Sequence, residues 1–140
     1  MSLSSIKAER HSSAVMTIDL DAMRHNLTQF RQRLQATTRI MFVLKAHAYG
    51  TSVKHTTHWA QQTGQIDYIA VAFVDEGVEM RQAGITLPIM IINIDETAFA
   101  TCEQFQLEPV IYSLSLLDKL VQWLNKSKYI YIFIDPIQLT

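Results

Sequence analysis

A lysine stands directly after an apolar run, Ile40-Met41-Phe42-Val43-Leu44-Lys45, and is followed by Ala46-His47-Ala48-Tyr49-Gly50. The run reads as a buried strand. Lys45 then falls at its carboxyl end, where α/β folds gather converging loops over a rigid sheet. An amine lodged there is expected to be partly desolvated, which favours the uncharged form that attacks an aldehyde to give a Schiff base. The bland alternative is a solvated surface lysine. Tyr49 offers a neutral phenolic donor near the same loop, or else packs beside a turn.

Other polar groups carry weaker signals. His55 and His58 lie three apart on a predicted helix, but no third ligand is near, so they read as solvent-facing and no metal site is assigned. His47 is expected at a loop surface. Asp75, Glu76, Glu79 and Arg81 read more simply as a helix start with a salt-bridged face than as an acid/base pair. Trp59 and Trp123, each inside a helix, read as core or interface residues.

The elements that must position Lys45 alternate in type. Residues 39–44, 68–73, 88–93, 109–112 and 129–134 are compact runs rich in Ile, Val, Tyr or Phe, continuously apolar, as parallel strands covered by helices on both faces must be. Residues 15–20 form another short β-branched run. Helices are predicted over 21–36, 52–63, 75–83, 96–105 and 115–126. In the first, Met23, Leu27, Phe30 and Leu34 share a face, with Asp19 or Asp21 as its cap. In the last, Leu116, Leu117, Leu120, Val121 and Leu124 form a stripe. Gly64 and Gly84 sit where helix stops belong. Successive strand, helix, strand units give an α/β class built of right-handed βαβ crossovers. Both an open doubly wound sheet and part of a (β/α)8 barrel fit, and no glycine fingerprint favours the nucleotide-binding version.

The 140 residues are 49% hydrophobic, enough for a folded core, and 12 basic against 13 acidic residues leave a formal charge of -1. That balance gives no long-range attraction to nucleic acid or anionic lipid, so neither is expected as a partner. No apolar run approaches the roughly 18 residues of a membrane-spanning helix. One cysteine, Cys102, allows no intramolecular disulfide and too few thiolates for structural zinc, which points to a cytoplasmic setting. Residues 1–13, polar and Ser-rich, read as a flexible leader or linker, and residues 14–140 as the folded portion.

Lys45-Ala46-His47-Ala48-Tyr49-Gly50 closely resembles the Lys-Ala-x-Ala-Tyr-Gly signature of alanine racemases, in which the lysine carries pyridoxal 5'-phosphate. Thr17-Ile18-Asp19-Leu20-Asp21-Ala22-Met23-Arg24-His25-Asn26-Leu27 is similar to that family's opening segment. Val71-Ala72-Phe73-Val74-Asp75-Glu76-Gly77-Val78-Glu79-Met80-Arg81-Gln82-Ala83-Gly84-Ile85 is similar to its second barrel strand and following helix, and residues 88–93 to its next strand. The resemblance runs over residues 14–135 and selects a partial (β/α)8 TIM barrel of about five parallel βα units, incomplete as a barrel. It assigns the strand at 15–20 to the family's carboxyl-terminal β domain.

The resemblance implies an isomerase that interconverts L- and D-alanine for peptidoglycan synthesis, as a cytoplasmic homodimer. Lys45 would hold the cofactor and serve as one of two bases. The second base is a tyrosine from the other subunit's carboxyl-terminal domain, and Tyr49 matches the tyrosine that reaches the cofactor phosphate. Two departures stand out. The family's His-Gly after Tyr-Gly is Thr51-Ser52 here, which can still cap the next helix. The family's Lys-x-Asp-Thr-Gly-Met-x-Arg corresponds to Phe133-Ile134-Asp135-Pro136-Ile137-Gln138-Leu139-Thr140, where only Asp135 agrees and both functional cations are lost. So abrupt a loss of agreement is what a frameshift or altered gene end leaves. The 140-residue chain is therefore expected to be an amino-terminal fragment, inactive or nearly so alone. The alternative is a non-catalytic PLP-binding or folding module. A cofactor-carrying relative without racemase activity is a third reading, against which Ala48-Tyr49-Gly50 argues. Five strands cannot close an eight-stranded barrel, so the open edges are expected to drive self-association.

Overall fold

The computed structural model describes residues 16–126. Helix α1 (Leu20–Arg31) starts where the Asp19 side chain accepts the Asp21 and Ala22 N–H groups. The strand expected at 15–20 is not formed among the described residues: residues 16–19 join no strand, and capping by Asp19 turns Leu20 into helix. Helix α1 also stops short of residue 36. Arg31 donates to the carbonyls of Thr38 and Gln65 and pairs with Asp67, which requires the chain to double back after it. The Ile40 N–H bonded to Asp67, with Arg31 adding to it, holds that carboxyl below its ordinary pKa.

Four strands follow, β1 (Met41–Val43), β2 (Tyr68–Val71), β3 (Ile89–Ile91) and β4 (Glu108–Pro109). They pair in sequence order, all parallel, with Phe42 opposite Ile69, Ile69 opposite Ile89, and Ile91 opposite Pro109. The crossovers carry helices α2 (Val53–Gln62), α3 (Val74–Gln82) and α4 (Phe99–Gln104), and α5 (Leu114–Leu124) follows β4. Strictly sequential order in a parallel sheet is the winding of a (β/α)8 barrel, here incomplete. Residues 96–105, expected as one helix, begin with a 3₁₀ turn at Glu96–Ala98, which Asp95 caps through the Thr97 N–H. The fifth expected strand, at 129–134, the divergent end at 133–140 and the leader at 1–13 lie outside the described residues.

One sheet face packs against the helices. Ile69, Val71, Ile89 and Ile91 are buried there with Met80, Phe99 and Leu116, while Phe42 meets Trp59 edge-on with ring centroids 6.1 Å apart. Gly77 lets α3 approach closely, since a Cβ there would stand 2.9 Å from Ile91 Cδ1 and 3.0 Å from Leu107 Cδ2. Gly84, at φ +86°, ends α3 as expected: the Ile85 N–H reaches back to the Met80 carbonyl. Gly64 at φ +62° lies just past α2. Trp123 is half-buried against Phe99, with centroids 6.0 Å apart. Of the α5 stripe, Leu116 is buried, whereas Leu117 and Val121 are exposed.

The opposite face corrects an expectation. Paired residues point the same way, so Met41, Val43, Tyr68 and Met90 share this side with Ala70. Met41 and Val43 are 43% and 37% exposed. Continuous apolarity in the sequence predicts burial on both faces, but in a barrel the second face is covered by facing strands rather than by helices.

Candidate active site

Lys45 immediately follows β1 and Leu44, at the carboxyl end of the sheet. The next residues form a single turn of left-handed helix. Ala46, His47 and Ala48 have φ/ψ of 54°/52°, 51°/48° and 55°/43°, and Tyr49 has φ 54°. These values lie at the left-handed helical minimum, which costs an L-residue about 1–2 kcal/mol each. The turn is held by repeated bonds: the Ala48 N–H donates to the Leu44 carbonyl (3.1 Å) and the Gly50 N–H to that of Ala46 (3.2 Å). Gly50, at φ 83°, ends it without a Cβ penalty. The Ala48 methyl is buried as part of the main apolar core, to which Leu44, Val53 and Ile69 also belong, fixing the turn on the sheet.

The turn lifts Lys45 and Tyr49 into solvent, and both are exposed. The desolvation expected of Lys45 is therefore not supplied by the described residues. Neither side chain has a hydrogen-bond or ion-pair partner among the described residues, so a primary amine and a phenol stand within one turn of each other, engaged with none of them. His47 is exposed as expected, with Nδ1 3.7 Å from Glu79 Oε2.

Two clefts flank the turn. One, of about 380 Å³, is lined by Ala46, His47, Phe73, Asp75, Glu76 and Glu79. Its three carboxylates disfavour an anionic group. The other, of about 400 Å³, is lined by Met16, Ile18, Leu20, Gly50, Thr51, Ser52 and His55, with no carboxylate among the described residues. Thr51 and Ser52 do not cap α2 as anticipated: Thr51 Oγ1 donates to the Ala48 carbonyl, and Ser52 Oγ pairs with His55 Nδ1 at 3.0 Å.

The acidic stretch on α3 differs from the salt-bridged face expected of it. Glu76 bonds three backbone amides, two of them at the start of its own helix: Ala72 N–H (2.8 Å) and Phe73 N–H (3.1 Å) to Oε2, and His47 N–H (3.2 Å) to Oε1. Arg81 donates to backbone carbonyls instead of the acids. His55 is engaged with Ser52, and His58 Nδ1 lies 2.7 Å from the Lys54 carbonyl. Among the described residues no three metal-ligating side chains are gathered. Burial pushes the Cys102 thiol up to about 11, so it stays protonated and unreactive at neutral pH. No helix among the described residues is long and apolar enough to cross a membrane.

Helices wrapped on one face of a sequentially ordered parallel sheet, with an amine at its carboxyl end, define a barrel-type α/β protein whose chemistry belongs at the strand ends. The model of the alanine racemase N-terminal domain matches residues 18–135, and the chain belongs to that family. Alanine racemase 1 of Oceanobacillus iheyensis is 30% identical over 134 residues, covering 93% of this chain and 35% of that protein. Alanine racemase of Synechocystis is 42% identical over 80 residues, 57% of this chain and 21% of the relative. Among solved structures, alanine racemase of Clostridium difficile 630 superposes with a TM-score of 0.71 at 32% identity, covering 76% of this chain and 29% of that one. The Bacillus anthracis alanine racemase with bound L-Ala-P gives 0.71 at 25% identity, covering 79% and 28%. The chain thus spans about a third or less of the length of these relatives.

Proposed function

We propose that this chain is the amino-terminal, cofactor-holding part of a pyridoxal-phosphate-dependent alanine racemase, with Lys45 as the residue that binds the cofactor. The observation carrying this reading is the unengaged Lys45 amine at the carboxyl end of β1, inside the six-residue signature. The residues suit the group: a primary amine for its aldehyde, and the free Tyr49 hydroxyl as a neutral donor to its phosphate. Repulsion by Asp75, Glu76 and Glu79 steers that phosphate away from the acidic cleft. When bound, the cofactor supplies an electron sink for charge developing at the alanine Cα. Lys45 then holds or returns the proton on one face of that carbon.

Racemisation needs a base on each face, and the family resemblance assigns the second to a tyrosine of the other subunit's carboxyl-terminal domain. The 140-residue chain is therefore expected to bind the cofactor without sustained turnover, and to pair with a second copy. Conversion of L- to D-alanine for peptidoglycan synthesis in the cytoplasm would be the work of a larger assembly. A non-catalytic PLP-binding or folding module is favoured instead by residues 133–140, which contain neither lysine nor arginine. Absorption spectra with added pyridoxal phosphate test the first step. The wild-type chain is expected to develop the visible band of a lysine-bound cofactor, and Lys45→Ala to abolish it. A band of equal strength in both would remove Lys45 from the role, and sustained D-alanine formation by the purified chain would contradict the expected inactivity.

A further inference from the structure

Glu76 joins two loops with one carboxylate. Its Oε2 accepts from the Ala72 and Phe73 N–H groups at the start of α3, and its Oε1 accepts from the His47 N–H in the left-handed turn. The α3 N-cap, Phe73, has no side-chain acceptor, so the reciprocal half of a capping box cannot form. Glu76 alone serves that helix start, and its second oxygen is left to hold the turn that begins at Lys45.

We propose that Glu76 is a positioning residue for Lys45: its carboxylate pins the left-handed turn to the β2–α3 loop and so fixes where the lysine amine stands. This rests on the reading of Lys45 as the cofactor lysine. The physical reason for a clamp is the turn's own conformation. Four consecutive non-glycine residues at positive φ persist only where surrounding bonds over-determine them. The remaining bonds on the turn come from its own ends or from Thr51 just after it. Glu76 supplies the backbone hydrogen bond from a separate element, whereas Glu79 of the same helix reaches only the exposed His47 side chain, at 3.7 Å. Glutamine cannot replace it fully, because a carboxamide has one acceptor oxygen where this bridge uses two.

Two measurements on the full 140-residue chain test the clamp, applied to wild type, Glu76→Gln and Glu76→Ala. The first is amide hydrogen exchange. The His47 amide is expected to exchange about tenfold faster in Glu76→Ala, the size of one lost hydrogen bond, while amides in α5 keep their protection. In Glu76→Gln, which retains one acceptor oxygen, either His47 or the Ala72 and Phe73 pair should accelerate, but not both. The second is reductive trapping with pyridoxal phosphate and borohydride, read as the ratio of labelling at Lys45 to that at Lys54. A severalfold fall in that ratio in Glu76→Ala, with a smaller fall in Glu76→Gln, supports positioning. Unchanged His47 exchange, or unchanged Lys45 selectivity despite faster exchange, overturns it. If wild type itself labels Lys45 no better than Lys54, the cofactor reading fails, and the exchange result alone decides whether Glu76 holds the turn.

Discussion

Arg81 shows how one side chain can close the floor of this sheet. Its Nε donates to the Phe105 carbonyl, one terminal nitrogen to those of Ile85 and Leu87, and the other to that of Gln106, at 2.7 to 3.0 Å. These carbonyls lie before β3 and around the end of α4, so a planar fork of fixed donors ties two chain reversals to α3. Burial lowers the pKa of the guanidinium, yet an arginine stays charged in any accessible range. Lysine has a single rotatable ammonium and cannot serve carbonyls spread over that fork. Arg81→Lys is expected to destabilise the chain by about 1 kcal/mol and Arg81→Ala by about 2 kcal/mol, because part-buried acceptors lose charged donors. Urea unfolding checks this, and midpoints within error of wild type in both variants would show these bonds to be worth little.

At the scale of elements, the left-handed turn is where strain and placement meet. Ala46 is exposed and lies at φ 54°, so removing its Cβ relieves conformational cost without losing packing. Ala46→Gly should stabilise the chain by about 0.5–1 kcal/mol, the relief outweighing glycine's extra freedom when unfolded. Gly50→Ala at φ 83° should do the reverse. A lower urea midpoint for Ala46→Gly would mean the turn is not strained in solution. Nothing in Ala46-His47-Ala48 announces such a turn, since alanine favours right-handed helix and only Gly50 marks a positive φ. The lysine was legible because an apolar run delivers it to a strand end, and the βαβ order because compact apolar runs alternate with amphipathic ones. Glu76 carried a faint signal, an acid three residues after the residue preceding its helix. The cap partner is phenylalanine, however, and the His47 contact is long-range in sequence. The early end of α1 was hidden for the same reason, because Arg31 turns toward Asp67 across the fold.

At the scale of the whole molecule the decisive feature is a sheet that the described residues cover with helices on one side only. Met41 and Val43 stand exposed on the other, beside the half-buried Tyr68 and Met90, and β1 and β4 are the sheet's edges among the described residues. Exposed strand edges next to apolar surface are a template for another chain, and an identical chain presents the matching face. The net charge of -1 offers little repulsion to oppose such pairing. The 140-residue chain is therefore expected to run as a dimer or larger species at micromolar concentration. Val43→Glu, alone or with Met41→Lys, should shift it toward monomer by placing charges where a partner must exclude water. Sedimentation velocity across a concentration series reads the outcome, with the far-ultraviolet dichroism of each variant confirming that the fold is retained. A wild-type chain that stays monomeric throughout, or a folded variant that associates as tightly as wild type, would show that this face does not drive assembly.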